Sequence, residues 1–463
     1  AIDRDFPLFS CGFYFSHNNQ NFSLVYNMIF DISNVGKRET VDELRASELL
    51  KPLLESTEMV ESICLSNKSY TRASSAIVAT HLAEVAKAGR FEHLKTVDIA
   101  DVIAGRPEDE ALEVLRTLCA PFAGLQNITT IDVSDNAFGA KGLDASAILL
   151  EGRSKLISLK ACNNGISEAS TKQLCDLVLA NGCELKTFHF FNNMSGPGGA
   201  KEIAAMLRDP KLAGLQNLRF SGTRARAEGT LAVINSIAEG NHHFIRLDLN
   251  DNTFQETGAL RIASALTSGR FSNLNTLLLR DGSLGAIGVT TVCKAIAIAK
   301  PPLIELDLSG NEIGEAEGKT KAAKALSKAL TSIKNTLKVF LIEDNELGSK
   351  MMIGMTNALS KCKDLIRLQL CNNDIRGKAM LELVKVLTTS QGMTLMKSSG
   401  GLEINGNYLT DEHVESLQGL LSQVSAEACL GSLDDNNEDE EDQEEDEEDE
   451  SEEEEEEEEE EVA

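Results

Sequence analysis

Apolar residues recur along this chain in a fixed order that is clearest at Ile128–Gly139, ITTIDVSDNAFG. They fall at Ile128, Ile131, Val133 and Phe138, with Asn136 between the last two. The alternation of Ile131 and Val133 suits a short strand with one face turned inward. Asn136 fits the bend that follows, where a buried amide bonds backbone groups that the turn leaves unpaired. The same template starts at Val60, Leu94, Ile128, Leu156, Leu185, Leu215, Phe244, Leu274, Leu303, Leu337, Leu365 and Ser399, at spacings of 28–34 residues. After each strand the pattern changes to a 3.6-residue period, as in Ala76–Ala86, Ala200–Leu207, Ala259–Leu266 and Ala322–Leu330, which predicts a helix in each repeat.

A short strand, an asparagine and a helix repeating at this period make the leucine-rich-repeat pattern. Helices this long in every repeat resemble the ribonuclease-inhibitor type. The fold class is therefore α/β: a horseshoe solenoid of about twelve repeats, with strands on the concave face and helices on the convex face. The asparagine position is filled by Asn136, Asn164, Asn193, Asn252, Asn311, Asn345, Asn373 and Asn407, and fails at Lys68, Val102, Thr223 and Gly282. Thr40–Ser56 reads as an amphipathic helix covering the open N-terminal end, and Glu412–Val424 as the closing helix.

Composition sharpens the boundaries. Residues 434–461 hold 24 acidic side chains and no Lys or Arg, so the net charge of −29 leaves only −5 for the remainder. Such a segment cannot bury enough apolar surface to fold. Its field repels nucleic acid and anionic membranes and attracts a basic protein surface. The chain divides into an irregular segment 1–30, with Met28 a candidate start; a cap region 31–59; repeats with a C-terminal cap over 60–428; and a disordered polyacidic tail over 429–463. Ten cysteines without a CxxC pair point to a reduced, intracellular protein. No apolar run approaches the roughly 20 residues a bilayer span needs.

Catalytic signatures are missing. The seven histidines show no HExxH spacing, and GxSxG, GxxxxGK[ST] and dinucleotide motifs are absent, so neither a resident active site nor a metal site is expected. The repeats offer a rim of side chains just before the asparagine position, running from Asn67 to Gly406, where nine of twelve residues are Asn or Asp. The plain reading is turn chemistry; the functional one is an acceptor-rich edge for a basic partner. Two places break the regularity. In DVIAGRPEDEAL, Arg106 stands between Gly105 and Pro107, in a loop that should throw its guanidinium outward or pair it with Glu108 or Asp109. In CNNGI, Asn163 puts an amide, both donor and acceptor, on the rim.

Several segments together resemble the Ran GTPase-activating proteins, especially the plant-type branch: Asp101–Leu112, Val133–Gly139, Asn163–Ile166, Phe188–Gly196 (FHFFNNMSG), Ser221–Gly229 (SGTRARAEG), Leu402–Leu409 and the acidic end. The AGRP motif followed by NNG about 57 residues later is the most specific part. The resemblance implies a protein that binds Ran in its GTP form and stimulates hydrolysis on Ran, in support of nucleocytoplasmic transport. By the same resemblance Asn163 positions Ran's catalytic glutamine, and Arg106 supports the site without being a true arginine finger. Asp135, Asn192, Arg224, Asp251 and Asp281 are the positions expected to meet the partner. No cofactor is expected, since GTP and Mg²⁺ belong to Ran. A Ran-binding-domain protein is a possible co-activator, and a monomer in the cytoplasm or at the nuclear periphery is expected. Nothing in residues 1–40 resembles the WPP domain of the plant branch. The competing reading is a non-catalytic repeat scaffold, or an acidic chaperone or inhibitor of a basic protein.

Overall fold

The structure, a computed structural model, describes residues 27–33, 37–137, 139–314 and 318–436. Thirteen parallel strands form one sheet in strict chain order, from Asn27–Asp31 to Leu402–Glu403. Each is joined to the next through a helix or helix-bearing loop on one side of the sheet. Strands stack about 4.8 Å apart, whereas packed helices need about 8–10 Å, so the sheet takes the inner face of a curved solenoid. The α/β leucine-rich-repeat architecture expected from the apolar pattern is the one observed. All twelve repeat positions carry a strand. In each, the central strand residue points into the core: Val97, Ile131, Leu159, Phe188, Leu218 and Leu247 are all within 1% of full burial.

The asparagines form a ladder running from repeat to repeat. Asn136 Nδ2 donates to the carbonyls of Ile99 (2.9 Å) and Val133 (2.9 Å), and its Oδ1 accepts the Val102 amide at 2.9 Å. The Asn136 amide in turn donates to Asn164 Oδ1 (2.9 Å), and the Asn164 amide to Asn193 Oδ1 (3.1 Å). The exceptions have local reasons. At Gly282 any Cβ would stand 2.8 Å from Phe254 Cδ2, so a ring fills the space that an asparagine would occupy. At Lys68 the buried ammonium reaches Glu39 Oε2 at 3.0 Å instead.

Both ends differ from the sequence reading. The segment 1–30 contains a strand, because Asn27–Asp31 pairs in parallel with Met59–Cys64 and adds a first rung to the sheet. Its buried side chain is Phe30. Residues 1–26 lie outside the described residues. At the other end the boundary at 428/429 is crossed: Leu402 bridges Leu430, the Asn407 amide donates to Asn436 Oδ1 (3.0 Å), and Asn436 Nδ2 donates to the Leu433 carbonyl (3.0 Å). Asn436 thus repeats the ladder geometry 29 residues after Asn407 and ends the solenoid with a partial thirteenth turn. The expected disordered tail, in its remaining part 437–463, lies outside the described residues. The two end helices, Glu43–Glu55 and Asp411–Ser422, stand where caps were expected.

A feature with no sequence signal is a second sheet of two short strands, Glu39–Val41 and Lys68–Tyr70, paired in parallel. It fastens the N-terminal cap to the rim of the first repeat, beside Arg106.

Candidate functional site

The rim is dictated by backbone geometry. All twelve residues from Asn67 to Gly406 that precede the ladder position have φ between 50° and 72°. Among residues with a side chain, Asn and Asp tolerate this left-handed conformation best, and Gly is free to adopt it. The Asn, Asp and Gly composition is therefore explained without a partner. Carboxylate richness there is no evidence of a basic ligand.

What distinguishes the first half of the rim is how its side chains join. Asn163 is exposed, its Nδ2 donates to Asp135 Oδ1 at 3.0 Å, and its Oδ1 accepts from Asn192 Nδ2 at 2.8 Å. An Asp–Asn–Asn row thus holds the Asn163 amide in one orientation. Its neighbour Asn164 is fully buried in the ladder, which fixes the Asn163 backbone. The next helix, Glu168–Asn181, starts at once, capped by Ser167.

Arg106 sits at the mouth of the second repeat. Gly105, at φ 75°, turns the chain, the Arg106 amide closes on the Ile103 carbonyl, and Pro107 begins the helix Glu108–Cys119. The guanidinium is half-buried and folds back onto the small second sheet: Nε donates to Ser69 Oγ at 3.0 Å and Nη2 to the Ser69 carbonyl at 3.3 Å. This corrects the expectation of a guanidinium either thrown outward or paired with Glu108 or Asp109. Glu108 pairs with Lys141 instead. Beside it stands a residue that the sequence reading missed. Arg38 grips Asp101 with two bonds, Nε to Oδ2 at 2.9 Å and Nη2 to Oδ1 at 2.7 Å, while staying half exposed. Its only sequence signal was a basic residue flanking the cap helix.

The other expected partner positions are spread along the rim. Asp135 is half-buried under Asn163, and Asn192, Asp251 and Asp281 are exposed. Burial together with nearby Asp251, Asp307 and Asp344 raises the Asp281 carboxyl, against the pull of Arg280. Arg224 is exposed one step past the ladder site, at φ 59°, where other repeats place Gly165 or Asp374. Holding an arginine in this left-handed conformation costs about 1 kcal/mol.

Inside the curve, adjacent strands align Asp98 and Asp132 and then Lys160, His189 and Arg219. Burial and Asp132 push the Asp98 carboxyl up to about 6, and Cys64 Sγ donates to it at 3.3 Å. Burial with Lys160, Arg219 and Arg246 pushes His189 down to about 3, so it stays neutral at physiological pH. Arg219 lies 3.9 Å over the Phe191 ring and pairs with Asp248 at 3.0 Å. Among the described residues one set could ligate a cation, Glu343, Cys371 and Glu403, with ligand atoms within 4.8 Å of one another. Arg280 and Arg367 already neutralise the two carboxylates, and burial lifts the thiol to about 12, so the chemistry there is ion pairing.

Comparison with known proteins follows this geometry. A family described as Leucine Rich repeat matches residues 124–145, 240–263 and 299–316. The chain is 41% identical over 130 residues to the RAN GTPase-activating protein 2 of Arabidopsis thaliana, covering 28% of this chain and 23% of that protein. It is 26% identical over 298 residues to the Ran GTPase-activating protein 1 of Saccharomyces cerevisiae, covering 62% and 72%. With the ribonuclease inhibitor of Mus musculus it shares 28% identity over 280 residues, 60% of this chain and 57% of the inhibitor. The matched part thus spans about a quarter of the Arabidopsis protein and over half of the other two. The chain is a leucine-rich-repeat solenoid whose sequence is similar to Ran GTPase-activating proteins.

Proposed function

We propose that this protein is a GTPase activator acting in trans on Ran in its GTP form, with hydrolysis taking place in the Ran active site. The observation that carries the proposal is the Asp135–Asn163–Asn192 row, which presents a pre-oriented amide on an exposed rim. Such an amide can accept from, and donate to, the side-chain amide of a catalytic glutamine on the partner, holding it against the attacking water. Arginine fingers of other activators are worth about 10³–10⁵ in rate. Here Arg106 is tied to Ser69 and keeps the loop in place, so the gain comes from positioning and water exclusion. Asp251, Asp281 and Arg224 supply further rim contacts. GTP and Mg²⁺ come with the partner, and a Ran-binding-domain protein acts as co-activator. The protein works as a monomer in the cytoplasm, in support of nucleocytoplasmic transport.

The scaffold reading loses its main support once left-handed backbone accounts for the Asn and Asp rim. The test is single-turnover hydrolysis of GTP pre-loaded on Ran, with catalytic amounts of this protein. Acceleration by several orders of magnitude on Ran, and none on Ras-type or Rab-type GTPases, is the expected result. Binding without acceleration would return the scaffold to first place.

A further inference from the structure

The first twelve α-helices divide by charge, and the thirteenth, Asp411–Ser422, carries three carboxylates and no Lys or Arg. From Glu43–Glu55 through Gln255–Thr267, eight helices carry fifteen acidic and ten basic side chains. The next four, Gly285–Ala299, Lys319–Ile333, Gly348–Leu359 and Gly377–Thr389, carry eight lysines and a single carboxylate, Glu382. All eight lysines are exposed. Lys321, Lys324 and Lys328 share one face of their helix, at the i, i+3 and i+7 spacing, and Lys378 and Lys385 share one face of theirs. On the earlier helices, Lys141, Lys172 and Lys201 are neutralised by Glu108, Asp176 and Glu228. No carboxylate among the described residues pairs with Lys324, Lys328 or Lys385. A concentration of exposed lysines, with Lys324, Lys328 and Lys385 lacking an ion-pair partner among the described residues, calls for a negative occupant on a chain of net charge −29.

We propose that this lysine face is a docking surface for the chain's own acidic segment, residues 438–461, folded back over the last helices of the solenoid. The segment holds 22 acidic side chains and no basic one. It starts one helix beyond its target, because Asn436 is fastened to the rim at the C-terminal end through the Asn407 amide and only Asp411–Ser422 intervenes. Fully extended, the 25 residues from 437 to 461 reach roughly 80 Å, and three helix-to-helix steps to Lys319–Ile333 cover only about 30 Å. Attachment at the rim keeps the segment at high effective concentration over the face, so many weak, screened contacts add up. Docking in cis would also hold the acidic charge away from a basic partner until that partner competes for it.

The test reads lysine reactivity in the full chain. Acetylation of each lysine by acetic anhydride is followed by mass spectrometry at low and high salt. A full-length variant in which glutamates 452–461 are all changed to glutamine is treated in parallel. Lys324, Lys328 and Lys385 are expected to react about fivefold slower at low salt than at ~0.5 M, where the Debye length is near 4 Å. That protection should vanish in the glutamine variant, while Lys172 and Lys201 keep their rates. Equal rates in the two proteins would overturn the proposal. So would protection spread evenly over Lys141, Lys172 and Lys201. Protection that grows with protein concentration would move the contact to a second copy and overturn docking in cis. The readout does not involve a GTPase, so it stands or falls separately from the activator reading.

Discussion

The chain contains the same pentapeptide pattern twice, CNNGI at 162–166 and CNNDI at 371–375, and the two copies make an internal control. Asn163 and Asn372 both sit at φ 54°. Both donate to the rim aspartate of the preceding repeat, Asn163 to Asp135 at 3.0 Å and Asn372 to Asp344 at 2.7 Å. The asparagine after each is fully buried in the ladder. They part company on the far side. Asn192 donates to Asn163 Oδ1, whereas the next rim residue after Asn372 is Gly406, and the Asn372 amide oxygen lies where a Cβ on that glycine would stand. Their surroundings differ as well. The first copy lies two repeats from the Arg38–Asp101 clamp and Arg106; the second borders the ion-paired Glu343 and Glu403. An exposed asparagine on a bent backbone is thus a product of the repeat, and any special role must come from its neighbours.

The sharpest break of that equivalence is Asn163→Ala against Asn372→Ala. If the neighbours confer function, the first substitution lowers single-turnover GTP hydrolysis on Ran by about 10²–10³-fold, the range for losing one positioned amide at a reacting centre. The second should change it by less than about twofold. Equal effects in the two variants would dissolve the distinction. One position further on, the two copies should behave alike. Asn164→Ala and Asn373→Ala each strand buried backbone groups, the amides of Asn136 and Asn345 respectively among them, and each should cost about 2–3 kcal/mol in denaturant unfolding. A large gap between them would mean that the ladder is unevenly stressed.

The inner face offers a pH test of the same contrast. Near the first copy, Asp98 has its carboxyl raised to about 6 by burial and by Asp132. In the unfolded chain it titrates near 3.8. Between those values the folded protein keeps a proton that the unfolded chain has released. Stability from this group is therefore full below about pH 4 and is lost as pH rises through 6. Asp98→Asn, which keeps an acceptor for the Ala100 amide, should flatten that stretch of the profile and stabilise the protein at pH 7 by about 1–2 kcal/mol. Urea midpoints at pH 4, 5, 6 and 7 check it; parallel profiles for the two proteins would show that Asp98 is not the titrating group.

How much of this was legible depended on range. Twelve strands could be placed from apolar spacing because each repeat buries the same few positions against its neighbours. Asn163 and Asn164 could be told apart for the same reason, since only one of them continues the ladder. The strand Asn27–Asp31 was not legible, because five residues without a following asparagine carry no repeat pattern. Asn436 was hidden by the acidic residues beside it, although its spacing from Asn407 fits the period. Arg38 was missed because its partner Asp101 is 63 residues away, and the outward reading of Arg106 failed because Ser69 belongs to a strand pair with no local signature. Long-range polar pairing depends on where the coil brings two loops together, which local pattern does not encode.

The smallest predicted effect turns one copy of the motif into the other. Asn192→Gly removes the donor to Asn163 Oδ1 and leaves that rim position as it is at Gly406. Asn192 already has φ 50°, so glycine fits without strain, and its exposed side chain takes little packing with it. Stability should therefore change by less than about 0.5 kcal/mol. Asn163 would keep its bond to Asp135, and with it half of its orientation. A loss of about tenfold in GTP hydrolysis on Ran, with Ran binding nearly unchanged, is the expected outcome, equivalent to ~1.4 kcal/mol. Full activity in Asn192→Gly would mean that Asp135 alone orients the amide. The contrast between the two copies would then rest on the arginines near the cap, and Arg38→Ala would be the substitution to compare next.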